Sequence, residues 1–153
     1  MFKVLVTDNL DKEGVEIFKK AGFQADVRND LTPEQLLEVI ADYDALVVRS
    51  KTRATAEVLA KGSRLKVVGR AGVGLDNVDI PAATRLGIAA MNTPGGNTIS
   101  TAEHTFSMIM SLMRNIAPAD AAMKQEKWEK KKFVGHELNG KTLGLIGLGR
   151  IGK

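Results

Sequence analysis

Along the first ninety or so positions the chain repeats one order: a short apolar run, then an amphipathic stretch. Lys3 to Thr7 reads as a buried strand closed by Asp8-Asn9, and Asp11 to Ala21 carries Val15, Ile17 and Phe18 on a helix that Gly22 terminates. Phe23 to Arg28 predicts a second strand. Thr32-Pro33-Glu34-Gln35 then supplies an N-cap, a proline at the first helical position and a capping-box glutamine ahead of Leu36, Leu37, Val39 and Ile40. Ala45 to Val48 is too apolar for a half-exposed strand, which places it centrally in a parallel sheet, and Thr55 caps the helix after it. Leu65 to Val68 predicts a fourth strand, Asp79-Ile80-Pro81 a helix start, Gly87 its end, and Ile88 to Met91 a fifth strand. Strands alternating with helices imply right-handed crossovers and an α/β lobe built on a parallel, flavodoxin-like sheet.

The pattern changes after Asn92-Thr93-Pro94-Gly95-Gly96-Asn97. Ile99, Ala102, Phe106, Ile109, Met113 and Ile116 recur at helical spacing, widened by Met108 and Leu112, so the longest helix of the chain is expected here with much of its surface covered. A more polar helix is expected over Pro118 to Lys130, and Lys141 to Ile146 reads as an apolar strand running into glycine. The expected layout is a lobe over residues 1–97. Residues 98–153 follow as connecting helices and the first strand of a Rossmann nucleotide-binding domain.

Composition narrows the function classes. Lys and Arg total 22 against 18 Asp and Glu, and part of the excess lies between Lys124 and Lys132 where cations alternate with Glu. With few aromatics and no basic reading element, nucleic acid is not an expected partner. The absence of cysteine removes disulfides, thiolate nucleophiles and cysteine metal sites. No apolar run approaches membrane-spanning length, and neither a metal nor a membrane is expected; the expected location is cytoplasmic. The Met residues at 108, 110, 113 and 123 read as core or interface filling.

Two glycine-rich turns carry the candidate chemistry. Gly147-Leu148-Gly149-Arg150-Ile151-Gly152 is a G-x-G-x-x-G directly after an expected strand. In a dinucleotide cradle its first glycine makes the turn, the second lets backbone approach a pyrophosphate and the third permits close packing. A glycine-rich turn without a ligand is the alternative. Neither a helix after the loop nor the acidic residue expected about twenty positions later for the ribose hydroxyls stands within these residues. The second turn, Gly69-Arg70-Ala71-Gly72-Val73-Gly74, follows a buried strand and reads either as an anion nest with Arg70 as a fixed cation or as a tight strand-to-helix connection. Arg49 ends the preceding buried strand. If the two strands are neighbours, it lies beside Gly72 to Gly74, and two guanidiniums suit a phosphate-bearing or dicarboxylate-like ligand. Glu103 and His104 are adjacent on a helix and project apart, so His104 reads as a packing or helix-end residue, and His136 in a loop has less support still for catalysis.

Taken together and in order, Val68 to Asn77, Asn92 to Asn97, Ala102-Glu103-His104, Lys127-Trp128-Glu129 and Leu138 to Gly152 resemble the D-2-hydroxyacid dehydrogenase family, and within it the D-3-phosphoglycerate dehydrogenases. The resemblance implies a two-lobed, homo-oligomeric oxidoreductase that oxidises 3-phosphoglycerate with NAD in serine biosynthesis. It implies Arg49 and Arg70 as substrate-anion ligands, Gly72, Val73 and Gly74 near the substrate carboxylate, and Val73 at a cofactor-contacting position. Gly147, Gly149, Arg150, Ile151 and Gly152 fall where the family's loop meets the pyrophosphate, and Asn97 falls at the hinge between lobes. The family's catalytic histidine, glutamate and arginine lie beyond the fingerprint, so the expectation is an N-terminal part with no catalytic residue, inactive alone and exposing apolar surface. Other substrates of the same scaffold, hydroxypyruvate or glyoxylate, remain open, as does a stand-alone, non-catalytic flavodoxin-like module.

Overall fold

A computed structural model describes residues 1–153, which divide into two units, Met1–Gly96 and Asn97–Lys153. In the first unit, strands β1 (Lys3–Val6), β2 (Gln24–Val27), β3 (Ala45–Val48), β4 (Val67–Arg70) and β5 (Ala89–Asn92) alternate with helices α1 (Lys12–Lys20), α2 (Pro33–Val39), α3 (Ala56–Lys61) and α4 (Ile80–Arg85). The strands are all parallel, in the order β2-β1-β3-β4-β5. This is an α/β fold with β3 at its centre and the order reversing between β1 and β3.

Local chemistry sets the helix ends. Asp11, Thr32, Thr55 and Asp79 each accept a backbone N–H of the first turn, and Thr32 and Gln35 cap each other reciprocally. Gly22 and Gly87 follow α1 and α4 with φ of 81° and 69°, a region that glycine enters without a Cβ clash. One strand differs from its pattern. β4 starts and ends two residues later than Leu65 to Val68, taking in Gly69 and Arg70, because Gly69 pairs with Val47 and Met91, and Arg70 with Val48 and Asn92. Neighbours on both sides override the weak strand preference of glycine.

The two faces of the sheet are covered unequally. On one, Leu5, Ile40, Leu46, Val48, Leu59 and Val68 are fully or almost fully buried in a cluster that also takes in α2, α3 and α4. On the other, Val4, Val6 and Ala45 are buried with Phe2, Leu10 and Phe18 against them. An apolar trough of about 530 Å³ runs past Phe18, Val47, Val67, Gly69 and Met91. Since Met91 is 58% exposed there, Met91→Glu is expected to change stability by less than about 0.5 kcal/mol in urea denaturation.

In the second unit, α5 (Thr98–Met113) is the longest helix, and α6 spans Ile116–Met123. The apolar stripe does not run on to Ile116 in one helix. Asn115 adopts a left-handed conformation, φ 54°, and ends it, and the second helix starts and stops earlier than Pro118 to Lys130, with a 3-10 turn at Lys130–Phe133. No residue of α5 is buried, and Ile99 and Leu112 are 70% and 79% exposed, so the expected cover is not supplied within this unit. Lys141 to Ile146 does not form the expected strand. Its residues are exposed and pair with no ladder, because an extended segment satisfies its N–H and C=O groups only against a neighbouring strand, and this unit has none. No helix is long and apolar enough to cross a membrane.

Candidate functional site

The carboxyl ends of parallel strands converge on one edge of the sheet, the edge at which open α/β folds bind ligands. β3 and β4 are adjacent, with Val48 opposite Arg70, so Arg49 and Arg70 stand at the ends of neighbouring strands. Their side chains take different directions. Arg49 is exposed and donates through Nη1 to the Asn9 carbonyl at 2.9 Å, reaching across the β1 end. Arg70 is largely buried, its side chain 14% exposed, and pairs with Asp76 in the turn that follows its own strand.

The loop bearing Arg49 is held from both sides. Asp8, at the end of β1 and 5% exposed, accepts the N–H groups of Arg49 (2.6 Å), Lys51 (3.2 Å) and Thr52 (3.2 Å) and the Thr52 hydroxyl (2.6 Å). Burial opposes the charge on Asp8, but the Thr52 hydroxyl and the three N–H donors outweigh it and hold the carboxyl below its ordinary 3.8. From the turn after β4, the buried Asn77 donates through Nδ2 to the carbonyls of Arg49 (2.8 Å) and Thr52 (2.6 Å). A parallel bridge between Ala54 and Val78 ties the same two segments. The result is a rigid platform for Arg49 beside a depression of about 400 Å³ lined by Asp8, Asn9, Asn29, Asp30, Ser50 and Lys51.

The turn Gly72-Val73-Gly74 is fixed by β5. Thr93 donates its N–H to the Gly72 carbonyl at 3.0 Å, and Asn92 donates through Nδ2 to the Val73 carbonyl at 2.6 Å, leaving Val73 43% exposed. The arrangement offers two guanidiniums and the exposed backbone of a glycine turn at one sheet edge. Such an arrangement suits an anion. Glu103 and His104 are both exposed on α5, and no cluster of His, Asp or Glu is placed to hold a metal ion.

In the second unit the loop Gly147 to Gly152 shows the three glycine roles in part. Gly147 turns at φ 97°, nothing lies within 4 Å of a Cβ built on Gly149, and a Cβ on Gly152 would strike the Gly147 carbonyl oxygen. Arg150 and Ile151 are exposed. These residues fit one half of a pyrophosphate cradle. The other half, a helix N-terminus aimed at the phosphates, is not formed within the 153 residues.

In the sequence Asp8 reads as part of a turn, and Asp76 and Asn77 fall in the glycine-rich stretch without a role of their own. Only the adjacency of β1 to β3 brings Asp8 to a segment forty residues away, and no local spacing signals it.

Comparison with known proteins identifies the family and the fold. The sequence profile of the D-isomer specific 2-hydroxyacid dehydrogenase catalytic domain matches residues 4–139. D-3-phosphoglycerate dehydrogenase of Homo sapiens is 53% identical over 99% of the chain, and that of Synechocystis is 48% identical over 99%. The chain spans 28% and 27% of those two proteins. Among solved structures, the TT0316 protein of Thermus thermophilus superposes with a TM-score of 0.87 at 32% identity, covering 99% of this chain and 50% of that one. NAD-bound 3-phosphoglycerate dehydrogenase of Entamoeba histolytica gives 0.74 at 32% identity, covering 99% and 48%.

Proposed function

Because this chain belongs to the D-isomer specific 2-hydroxyacid dehydrogenase family, we propose that it is the substrate-side part of an NAD-dependent enzyme that oxidises 3-phosphoglycerate to 3-phosphohydroxypyruvate in the cytoplasm. The observation that carries this reading is the pairing of Arg49 and Arg70 at the ends of adjacent strands, beside the Gly72 to Gly74 turn. A substrate with a carboxylate and a phosphate calls for two separated cations, and guanidinium meets either group with two parallel hydrogen bonds. Gly72, Val73 and Gly74 contribute backbone near the substrate carboxylate. In the first unit Val73 offers a cofactor contact; in the second, Gly147, Gly149, Arg150, Ile151 and Gly152 offer a loop for a pyrophosphate. When bound, NAD supplies the acceptor for the hydride leaving the substrate carbon; the residues of this chain bind and orient.

No residue here is assigned the proton transfer, so the chain alone is expected to give no NADH above a blank with 3-phosphoglycerate and NAD. Binding is the direct test. In NMR titrations, 3-phosphoglycerate is expected to shift the Arg49 and Arg70 side-chain N–H signals, and Arg49→Ala or Arg70→Ala to weaken binding about tenfold or more, the range of one charge-assisted hydrogen-bonded pair. Saturation of both variants at wild-type affinity would remove the two arginines from the site.

A further inference from the structure

We infer that Asp76 is a specificity-determining residue of the anion site: it lies on the solvent side of the Arg70 guanidinium, so an incoming anion binds there only by displacing it. The inference rests on the proposed anion-binding role of Arg70. The pair is asymmetric, since the Arg70 side chain is 14% exposed and that of Asp76 80% exposed. The carboxylate is therefore the partner that can leave, because moving it returns a charge to water and not to the interior.

The turn is shaped around this pair. Neither Gly72 nor Gly74 has a φ in the left-handed region, so the backbone does not demand glycine at either position. A Cβ at Gly72 would lie 3.2 Å from Arg70 Nε, and one at Gly74 would lie 2.7 Å from Asp76 Oδ1 and 3.4 Å from Arg70 Nη1. The missing side chains make room for the arginine to fold back and for the aspartate to meet it. The fork is also only part used. Asp76 accepts from Nη1 alone, and the buried Nε of Arg70 has no partner.

Selectivity follows from that geometry. A monoanionic carboxylate gains little over what Asp76, itself a carboxylate, already supplies and feels the charge of that side chain nearby. A dianionic phosphate brings a second charge and a third oxygen to the same guanidinium, which the Asp76 carboxylate does not match. Asp76 thus raises the threshold for weak monoanions more than for phosphate-bearing acids.

The test uses the 153-residue chain, with binding of 3-phosphoglycerate and of its dephosphorylated counterpart D-glycerate followed by NMR at the Arg70 Nε–H. Asp76→Asn is expected to tighten both ligands about three- to tenfold, with D-glycerate gaining more, and Asp76→Glu, which keeps the charge, to restore wild-type behaviour. Spectra of wild-type dispersion confirm that each variant is folded. Binding that weakens or stays unchanged in Asp76→Asn overturns the inference while leaving the anion site intact. An absence of binding in wild type and Asp76→Asn alike overturns the site and this inference with it, whereas binding seen in Asp76→Asn only supports the inference.

Discussion

Truncating Leu46 to alanine is expected to lower the stability of the Met1–Gly96 unit by about 2–5 kcal/mol, measured as the shift in urea midpoint at constant slope. Leu46 is fully buried at the middle of β3, where β1 and β4 flank it and the closely packed helical face leaves little room for neighbours to collapse into the space. Against a domain stability of roughly 5–15 kcal/mol, a loss near the upper end would remove most of the stability of a unit at the lower end of that range. The comparison with Met91→Glu is informative, because both residues sit on strands of one sheet, Leu46 buried on the central strand and Met91 exposed on the edge strand. If both variants lost stability equally, the uneven covering of the two faces described here would be wrong.

Replacing Asp8 with alanine is the second large effect, about 2–4 kcal/mol, since three N–H groups and a hydroxyl lose a charged acceptor and water reaches only some of them. The same change frees the Arg49 loop, so weakened anion binding should accompany the lost stability. The pH dependence has a definite sign. Asp8 has a folded pKa below its ordinary 3.8, so the unfolded chain binds its proton more readily. Its contribution is then fully present above the unfolded pKa of about 3.9 and is lost as pH falls through the lower folded value. The stability difference between wild type and Asp8→Asn should be flat above about pH 5 and shrink only below about pH 4. A difference that already declined near neutrality would point to some other group.

Much of this architecture is legible in the sequence because its signals are local. The Thr32 to Gln35 capping box, the glycines after α1 and α4 and the apolar run of β3 each act within a few residues, and each element stands where the pattern put it. What failed depended on partners. Gly69 and Arg70 are strand residues only because β3 and β5 flank them, whereas Lys141 to Ile146 has an apolar strand pattern and no neighbour to complete it. The candidate site divides the same way. Arg49, Arg70 and the Gly72 to Gly74 turn could be singled out from residue type and position. Asp8, Asn77 and Asp76, which hold or oppose those residues, could not, since their roles depend on strand order and on the fold of one turn.

The strand order β2-β1-β3-β4-β5 also bears on how the unit is made. Once β3 has docked beside β1, each later strand joins the sheet at its growing edge in the order in which it leaves the ribosome. No strand has to be inserted between two that are already paired. The entire ladder lies within the first 96 residues, so it closes without waiting for any residue after Gly96. Vectorial synthesis and spatial order run in the same direction, which keeps the bare edge of the nascent sheet short-lived.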